Sequence, residues 1–376
     1  MKLKCQRDWL LTACQLVGAA VAVRSTKPVL ACMKAVAEDD ALFLMATDNE
    51  IGVRYELRGV EVKRAGAAIL PPGKLISILR ESSDADVSLD ADENGTLVRT
   101  STGKFNLPGG NPAEFPDIPP FNDGGNYHEI NAGVLRTMIK RVAFAADKTE
   151  ATARWAVTGV LWEAEGKKAR LIATDTRRLA LCEAPADVHG AKETKDAKTQ
   201  SHLVPQKAIQ LLDRSLADDG ELVRIALTAN EAMFQTGRAL IYSKLVEGRF
   251  PPYRDIIPKK PGMSLQIPVA DFLSRVRQAA IMTDDETKRV EFSFEAGKVT
   301  LNAQGGADNG SGEVMLELPD YKGSKVEIAF NPQYLIDMLR AVDNEPTLKL
   351  EMTDGQKPAV FRLGDDYLYL VMPLTG

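Results

Sequence analysis

One phrase is written three times along the chain: Pro72-Gly-Lys-Leu75-Ile-Ser-Ile78-Leu79-Arg80, Pro205-Gln-Lys-Ala208-Ile-Gln-Leu211-Leu212-Asp-Arg214 and Pro332-Gln-Tyr-Leu335-Ile-Asp-Met338-Leu339-Arg340. Each predicts a short amphipathic helix that opens with proline, where the missing N–H costs nothing, carries apolar residues at three-and-four spacing, and ends near an arginine. The copies start roughly 130 residues apart, about one domain length, which predicts three similar domains in tandem.

Other parts recur in the same order. Before the first two copies lie Leu42-Phe-Leu-Met-Ala46-Thr47-Asp48 and Ala169-Arg-Leu-Ile-Ala173-Thr174-Asp175, each reading as a strand that enters a turn. The third unit has Val299-Thr-Leu-Asn-Ala303 there, without the Thr-Asp pair. After each helix copy come strands and then Phe115-Pro116, Phe250-Pro251 or Met372-Pro373. Further helices are expected near Asp8–Ala19, Ala132–Ala146 and Val269–Met282, and the repeated copies extend the helices to Glu81, Leu216 and Val342. Strands are expected around residues 40–60, 87–100 and 102–107 of the first unit. The fold class is therefore α+β, with two helices and alternating strands per unit. Boundaries fall in the Pro-rich connections Pro112–Asn126 and Pro251–Pro261, giving domains 1–125, 126–256 and 257–376. The polar, aperiodic run from His189 to His202 predicts a surface loop.

Composition fits a globular protein of several domains: 376 residues, 44% hydrophobic and 26% charged. No window approaches the ~20 apolar residues of a membrane span and Met1-Lys-Leu-Lys-Cys5 lacks a signal peptide's apolar stretch, which predicts a cytoplasmic protein. Cys5, Cys14, Cys32 and Cys182 have no metal or redox spacing and read as reduced structural thiols. Asn94-Gly-Thr96 reads as a hairpin turn rather than a glycosylation site.

The net charge is −5, which taken alone argues against a nucleic-acid partner. The six expected helices and their flanks nevertheless carry roughly eleven basic residues (Arg7, Lys74, Arg80, Arg136, Lys140, Arg141, Lys207, Arg214, Arg275, Arg277, Arg340) against about five acidic ones. If the helices face one way, that face is positive and the sheets behind it are acidic, an arrangement suited to a phosphate backbone. The alternative is a set of solvated helix faces with basic C-terminal ends. Catalysis finds little support: His128, His189 and His202 are the only histidines, and Gly305-Gly306-Ala-Asp-Asn-Gly310-Ser-Gly312 lacks the Lys-Ser/Thr of a phosphate loop and predicts a hairpin turn. Asp284-Asp285-Glu286 reads as a charged turn. No catalytic residue, metal site or cofactor is expected.

The chain resembles the bacterial β sliding clamp family, the processivity subunit of DNA polymerase III, nearly end to end. The marks are Met1-Lys-Leu, Arg24-x-x-x-Pro28-Val-Leu, Ala46-Thr-Asp-Asn-Glu50, Phe115-Pro-Asp-Ile118, Ala173-Thr-Asp-Thr-Arg-Arg178-Leu179-Ala180, Ser243-Lys244-Leu-Val-Glu-Gly248-Arg249-Phe250-Pro251-x-Tyr253-Arg254 and Tyr369-Leu-Val-Met372-Pro373-Leu374. The resemblance implies three topologically equal clamp domains, a head-to-tail homodimeric ring around double-stranded DNA, and sequence-independent sliding. It places Arg24, Arg154 and Trp155 at DNA-contacting loops. For Trp155 two roles stay open, stacking on bases at a primer junction and capping the neighbouring sheet. Lys74, Arg80, Arg136, Lys140, Arg141, Lys207, Arg214 and Arg275 would supply the basic lining.

The resemblance further implies a pocket for short apolar motifs of the polymerase catalytic subunit, the clamp loader and repair proteins. Its matching positions are Val157, Thr174, Arg178, Leu179, Pro251, Ile256, Pro358, Leu370, Val371, Met372, Pro373 and Leu374. The competing reading makes Leu370–Leu374 only the last strand of a domain core. Phe105, Leu107, Ile281 and Met282 would form the dimer contact, or else belong to intradomain cores. The chain departs from the family at Thr176-Arg177, where Gly-His or Gly-Tyr is usual, which puts partner preference in doubt. Two other classes remain beside the replication clamp: a clamp-like paralogue binding partner peptides in repair, and a nucleic-acid enzyme with a metal site in the acidic turns.

Overall fold

The computed structural model describes residues 1–92, 94–121, 126–147, 156–190, 200–284, 288–305 and 310–374, with Gln200 described by its backbone alone. Its α-helices are α1 (Arg7–Gly18), α2 (Pro72–Glu81), α3 (Ala132–Val142), α4 (Gln206–Ser215), α5 (Val269–Ala280) and α6 (Pro332–Ala341). The repeated phrase is α2, α4 and α6. In each copy the residues three and seven after the proline are fully buried: Leu75 and Leu79, Ala208 and Leu212, Leu335 and Leu339. The arginine that closes each copy (Arg80, Arg214, Arg340) is exposed. Proline occupies the first turn of α2 and α6, and the Asn331 side chain caps α6 by accepting the Gln333 N–H at 3.0 Å. Pro205 instead ends the strand Gln200–Pro205, so α4 begins one residue later than the pattern predicts.

The helix expected over Ala132–Ala146 stops at Val142 and tightens into a 3₁₀ turn, Ala143–Ala145. The carbonyls there have other donors: Gln206 Nε2 donates to the Ala143 oxygen at 3.2 Å and Arg178 Nη2 to the Phe144 oxygen at 3.0 Å.

The chain packs as two compact units. One contains residues 1–136, 186–197 and 207–245; the other contains 137–185, 198–206 and 246–376, so the middle third contributes to both. In the first unit, five antiparallel strands run in the order Glu61–Arg64, Lys2–Gln6, Asp86–Asp92, Gly95–Arg99, Lys104–Pro108. A second sheet orders Asp187–His189, Tyr127–Asn131, Leu222–Leu227, Glu231–Gln235, Ala239–Lys244, Ile51–Arg58, Ala41–Thr47, Met33–Glu38 and Gly66–Leu70. In the other unit, one sheet orders Gln200–Pro205, Gly159–Glu165, Lys168–Thr174, Arg178–Pro185, Tyr367–Val371, Ala359–Leu363, Thr347–Met352 and Met263–Pro268. The last orders Ser311–Leu318, Gly297–Gln304, Val290–Glu295 and Val326–Phe330.

Two of these sheets are continuous through a domain junction. Ile51–Arg58 of the first third pairs with Ala239–Lys244 of the middle third, from Ala239↔Tyr55 to Ser243↔Ile51. Arg178–Pro185 of the middle third pairs with Tyr367–Val371 of the last third, from Arg178↔Val371 to Cys182↔Tyr367. Strands such as Met33–Glu38 and Asp86–Asp92 alternate buried and more exposed residues, whereas Tyr367–Val371 is buried throughout, and α1 packs on α2 as α5 packs on α6. The hairpin expected at Asn94-Gly-Thr96 is present, with Asp92 paired to Gly95. Gln304 pairs with Ser311 around the glycine-rich segment, of which residues 306–309 lie outside the described residues.

The Thr-Asp repeat folds into the same turn twice. Thr47 Oγ1 donates to the Ile51 oxygen at 2.8 Å and accepts the Asn49 N–H at 3.0 Å, while Asp48 Oδ1 accepts the N–H of Glu50 and Ile51 at 3.0 and 2.8 Å. Thr174 and Asp175 repeat each bond with Arg178, Thr176, Arg177 and Arg178 at 2.6, 3.0, 3.0 and 2.9 Å. Both turns start the strands that cross the domain junctions. Thr47→Val keeps the shape but strands the Asn49 N–H without its acceptor; it should lower stability by about 1–3 kcal/mol in denaturant melts.

Candidate functional site

The second Thr-Asp turn sets the geometry of the candidate site, because it fixes how strand Arg178–Pro185 enters the junction sheet. Successive side chains then point to opposite faces. Leu179 and Leu370, directly paired across the junction, join Leu161, Ile172, Leu203, Tyr253, Val360 and Leu368 in one apolar cluster. Ala156, Leu181, Val246, Phe250 and Ile257 pack on it while still partly exposed. Ile256 and Met372 are 47% and 40% exposed, and Pro251, Pro358, Pro373 and Leu374 are partly exposed. The 3₁₀ turn Tyr253–Asp255 carries Ile256 immediately after it. The C-terminal segment is tied down by backbone bonds, Met372 N–H to the Arg177 oxygen and Leu374 N–H to the Ala329 oxygen, both at 2.8 Å.

Of the twelve residues expected to form the pocket, Val157, Thr174, Arg178, Leu179, Leu370 and Val371 are buried. Leu179 and Leu370 lie in the cluster. Arg178, by contrast, reaches the other side of the sheet: Nε donates to Asp175 at 3.0 Å, Nη1 to Asp337 at 2.7 Å and Nη2 to the Phe144 oxygen, with Tyr334 stacked 4.6 Å from the guanidinium. Burial opposes this charge, yet Tyr369, Asp337 and Asp175 outweigh it and push the Arg178 pKa above its ordinary value. Arg178 is thus a brace between the Thr-Asp turn and α6.

The expected basic residues separate into two groups. Arg136 donates to the Leu216 oxygen and pairs with Asp219; Lys140 pairs with Asp343 at 2.7 Å, Arg141 with Glu345 at 2.6 Å and Lys207 with Asp48 at 2.6 Å. Arg24, Lys74, Arg80 and Arg214 are exposed, and among the described residues none has a carboxylate at ion-pair distance. Arg275 contacts Gln278 at 3.4 Å. Arg154 and Trp155 lie outside the described residues, as do residues 191–199 of the polar run and Asp285 and Glu286 of the acidic turn. Arg7, counted among the helix cations, instead bonds the Asp84 and Leu79 carbonyls at 3.1 Å each.

Two sheet edges carry exposed apolar residues. Phe105 is 41% exposed on the edge strand Lys104–Pro108, while its neighbour Leu107 is buried in its own sheet. Ile281 is 76% exposed after α5. Met282 folds over the edge strand Ser311–Leu318, where a side chain at Gly312 would fall 2.8 Å from its Cγ. Met315, also on that strand, is 51% exposed.

All four cysteines are free, and burial pushes the Cys5 and Cys182 thiols up to about 12 and about 11. Among the described residues no three His, Cys, Asp or Glu group as a metal site requires, and no helix is long and apolar enough to cross a membrane.

Tandem α+β domains joined through continuous sheets are the architecture of DNA sliding clamps. A Pseudomonas aeruginosa DnaN sliding clamp (DNA polymerase III subunit beta), solved bound to griselimycin, superposes with a TM-score of 0.88 at 26% identity over 100% of both chains. The Bacillus subtilis sliding clamp shares the fold, with a TM-score of 0.87 at 23% identity over 100% of this chain and 99% of that one. In sequence, the beta sliding clamp of Pseudomonas putida is 30% identical over 373 residues, 98% of both chains, and that of Escherichia coli 27% identical over 377 residues, 100% of both. Models for the N-terminal, central and C-terminal domains of the DNA polymerase III beta subunit match residues 1–119, 129–252 and 254–375. The chain belongs to the DNA polymerase III beta subunit family.

Thr176, in the second Thr-Asp turn, has φ +73°, where the first turn places Asn49 at φ +74°. Asparagine tolerates the left-handed region; a β-branched residue is strained there. Thr176→Asn should therefore raise stability by about 1 kcal/mol in denaturant melts, with the turn's hydrogen bonds unchanged.

Proposed function

We propose that two copies of this chain close head to tail into a ring that encircles duplex DNA, slides along it, and tethers the replicative polymerase for processive synthesis. The observation that carries this reading is the use of strands at the junctions. The strand after the Thr-Asp turn pairs with the last strand of the following domain twice within the chain, 51–58 with 239–244 and 178–185 with 367–371. The corresponding strands left over are Ser311–Leu318 of the last third and Lys104–Pro108 of the first, and both are sheet edges. Edges of that kind invite pairing with another chain. A third junction between two copies uses both edges and repeats head to tail until it closes, with three domains per chain bounded near 125/126 and 256/257.

The ring holds by topology, so no single contact needs to be tight. Lys74, Arg80 and Arg214, exposed and at the ends or first turns of the repeated helices, favour a phosphate backbone in the hole without reading bases. The apolar cluster around Leu179 and Leu370, rimmed by Pro251, Ile256 and Met372, supports docking of short apolar motifs from the polymerase, the clamp loader and repair proteins, and it is where we place griselimycin binding. The chain works as a non-catalytic processivity subunit in the cytoplasm.

Loading by a clamp loader onto nicked circular DNA tests the ring. Protein retained on the circle should be released when the circle is cut; equal loss from circular and linear DNA refutes encirclement. In the same assay, charge reversal at Lys74, Arg80 and Arg214 together should weaken retention and lower the salt slope by about 0.9 per phosphate contact removed. Unchanged retention excludes the basic lining.

Phe105 and Ile281 are exposed in the protomer, so charged residues there spare its core. Phe105→Glu with Ile281→Glu should convert the dimer to folded monomers in sedimentation; an intact dimer would place the interface elsewhere.

A further inference from the structure

Glu163 is 5% exposed, yet it is a carboxylate at the margin of the apolar groove cluster. It lies on the strand Gly159–Glu165, two residues beyond Leu161 and therefore on the same face. The Tyr253 hydroxyl donates to its Oε2 at 2.9 Å, and Arg254 Nη2 donates to the same oxygen at 2.9 Å. Arg254 Nε donates to the Tyr253 hydroxyl at 3.2 Å, which closes a triangle of three hydrogen bonds. Ser201 Oγ reaches the other oxygen at 3.4 Å and Arg170 Nη1 lies 3.8 Å away, so the buried charge is compensated.

The Tyr253 ring is a member of the groove cluster with Leu179 and Leu370, and Phe250 meets it edge-on with centroids 6.4 Å apart. Among the described residues, the backbone hydrogen bonds within the turn that holds Tyr253 are local: Tyr253 N–H to the Pro251 oxygen at 2.7 Å, Asp255 N–H to the Pro252 oxygen at 3.2 Å and Ile256 N–H to the Tyr253 oxygen at 3.3 Å. Pro251 and Ile256, the exposed wall of the groove, flank that turn. Local bonds shape a turn but do not aim it; the packing of the Tyr253 ring and the directional Glu163 triangle, reaching across 90 residues of sequence, do.

We propose that Glu163 is a positioning residue of the docking groove: through Tyr253 and Arg254 it sets the wall against which a bound apolar ligand packs. The inference rests on the groove reading above. It also gives a role to the Tyr253-Arg254 pair, whose polar atoms turn toward Glu163 while the Tyr253 ring packs in the cluster.

Griselimycin affinity, measured by calorimetry on the full chain, tests this together with the thermal midpoint of each variant. Tyr253→Phe keeps the ring and deletes only the hydroxyl; it should weaken binding by about fivefold with little change in midpoint. Glu163→Ala should weaken it by about tenfold or more, and Glu163→Gln, which keeps an oxygen for the Tyr253 hydroxyl, should stay within about threefold of the native chain. Native affinity in both Tyr253→Phe and Glu163→Ala overturns the proposal. So does a loss in Glu163→Ala that merely follows its midpoint while Tyr253→Phe is silent, since that is a structural role only. Truncation of residues 372–376 separates the two levels: if it abolishes binding while the Glu163 variants are silent, Glu163 alone is refuted, and if it leaves binding intact, the groove itself is misplaced and the proposal falls with it.

Discussion

Backbone pairing across the domain junctions is the constraint on which everything else in this chain depends. Strand 51–58 cannot satisfy its outer N–H and C=O groups within its own domain, and neither can strand 178–185; each meets the last strand of the next domain in an unbroken antiparallel ladder. A junction made of a ladder has fixed register, because a slip of one residue would turn Leu179 away from the apolar cluster and Arg178 into it. The Thr-Asp turns start both ladders, and both are braced to the following domain's repeated helix. Lys207 of α4 holds Asp48, and Asp337 of α6 holds Arg178 beside Asp175.

That arrangement makes the proposed groove a property of the junction rather than of either domain. Leu179 comes from the middle third and Leu370 from the last third, paired residue to residue. On the reverse face, one residue away, Arg178 is locked among Asp175, Asp337, Phe144 and Tyr334. A ligand seated on the apolar face therefore rests on a strand whose other face is held by α6 and by the turn after α3. The proposed docking and the domain alignment share one element.

Much of this is legible in sequence because its causes are local. Proline followed by apolar residues at the third and seventh positions marked α2, α4 and α6, and Thr-Asp at equal spacing marked two identical turns. What stayed hidden is long-range. Glu163 finds Tyr253 across 90 residues, and no periodicity signals that a strand glutamate will turn inward to a tyrosine. The premature end of α3 depends on Arg178 and Gln206 supplying donors to the carbonyls of the 3₁₀ turn that follows it. The partners of the helix cations are hidden too: Asp48, Asp219, Asp343 and Glu345 lie outside the helices, so a helix-by-helix tally leaves out the carboxylates that meet Lys207, Arg136, Lys140 and Arg141.

Those pairs bear on how a ring could hold DNA and still move. Lys140 and Asp343 are each about half exposed, and exposed pairs of this kind contribute only about 0–1 kcal/mol. A phosphate approaching Lys140 in the proposed ring does not gain a bare cation; it displaces a carboxylate, and when it leaves the carboxylate returns. The net gain per phosphate is the difference between two similar partners, which is small, so successive positions along the backbone differ little in energy. In that ring, exposed Lys74, Arg80 and Arg214 would provide the attraction that centres the duplex, and the paired cations would provide contacts that exchange without a large barrier. An acidic protein with a partly neutralised basic lining is then better suited to sliding than one whose every helix cation stands free.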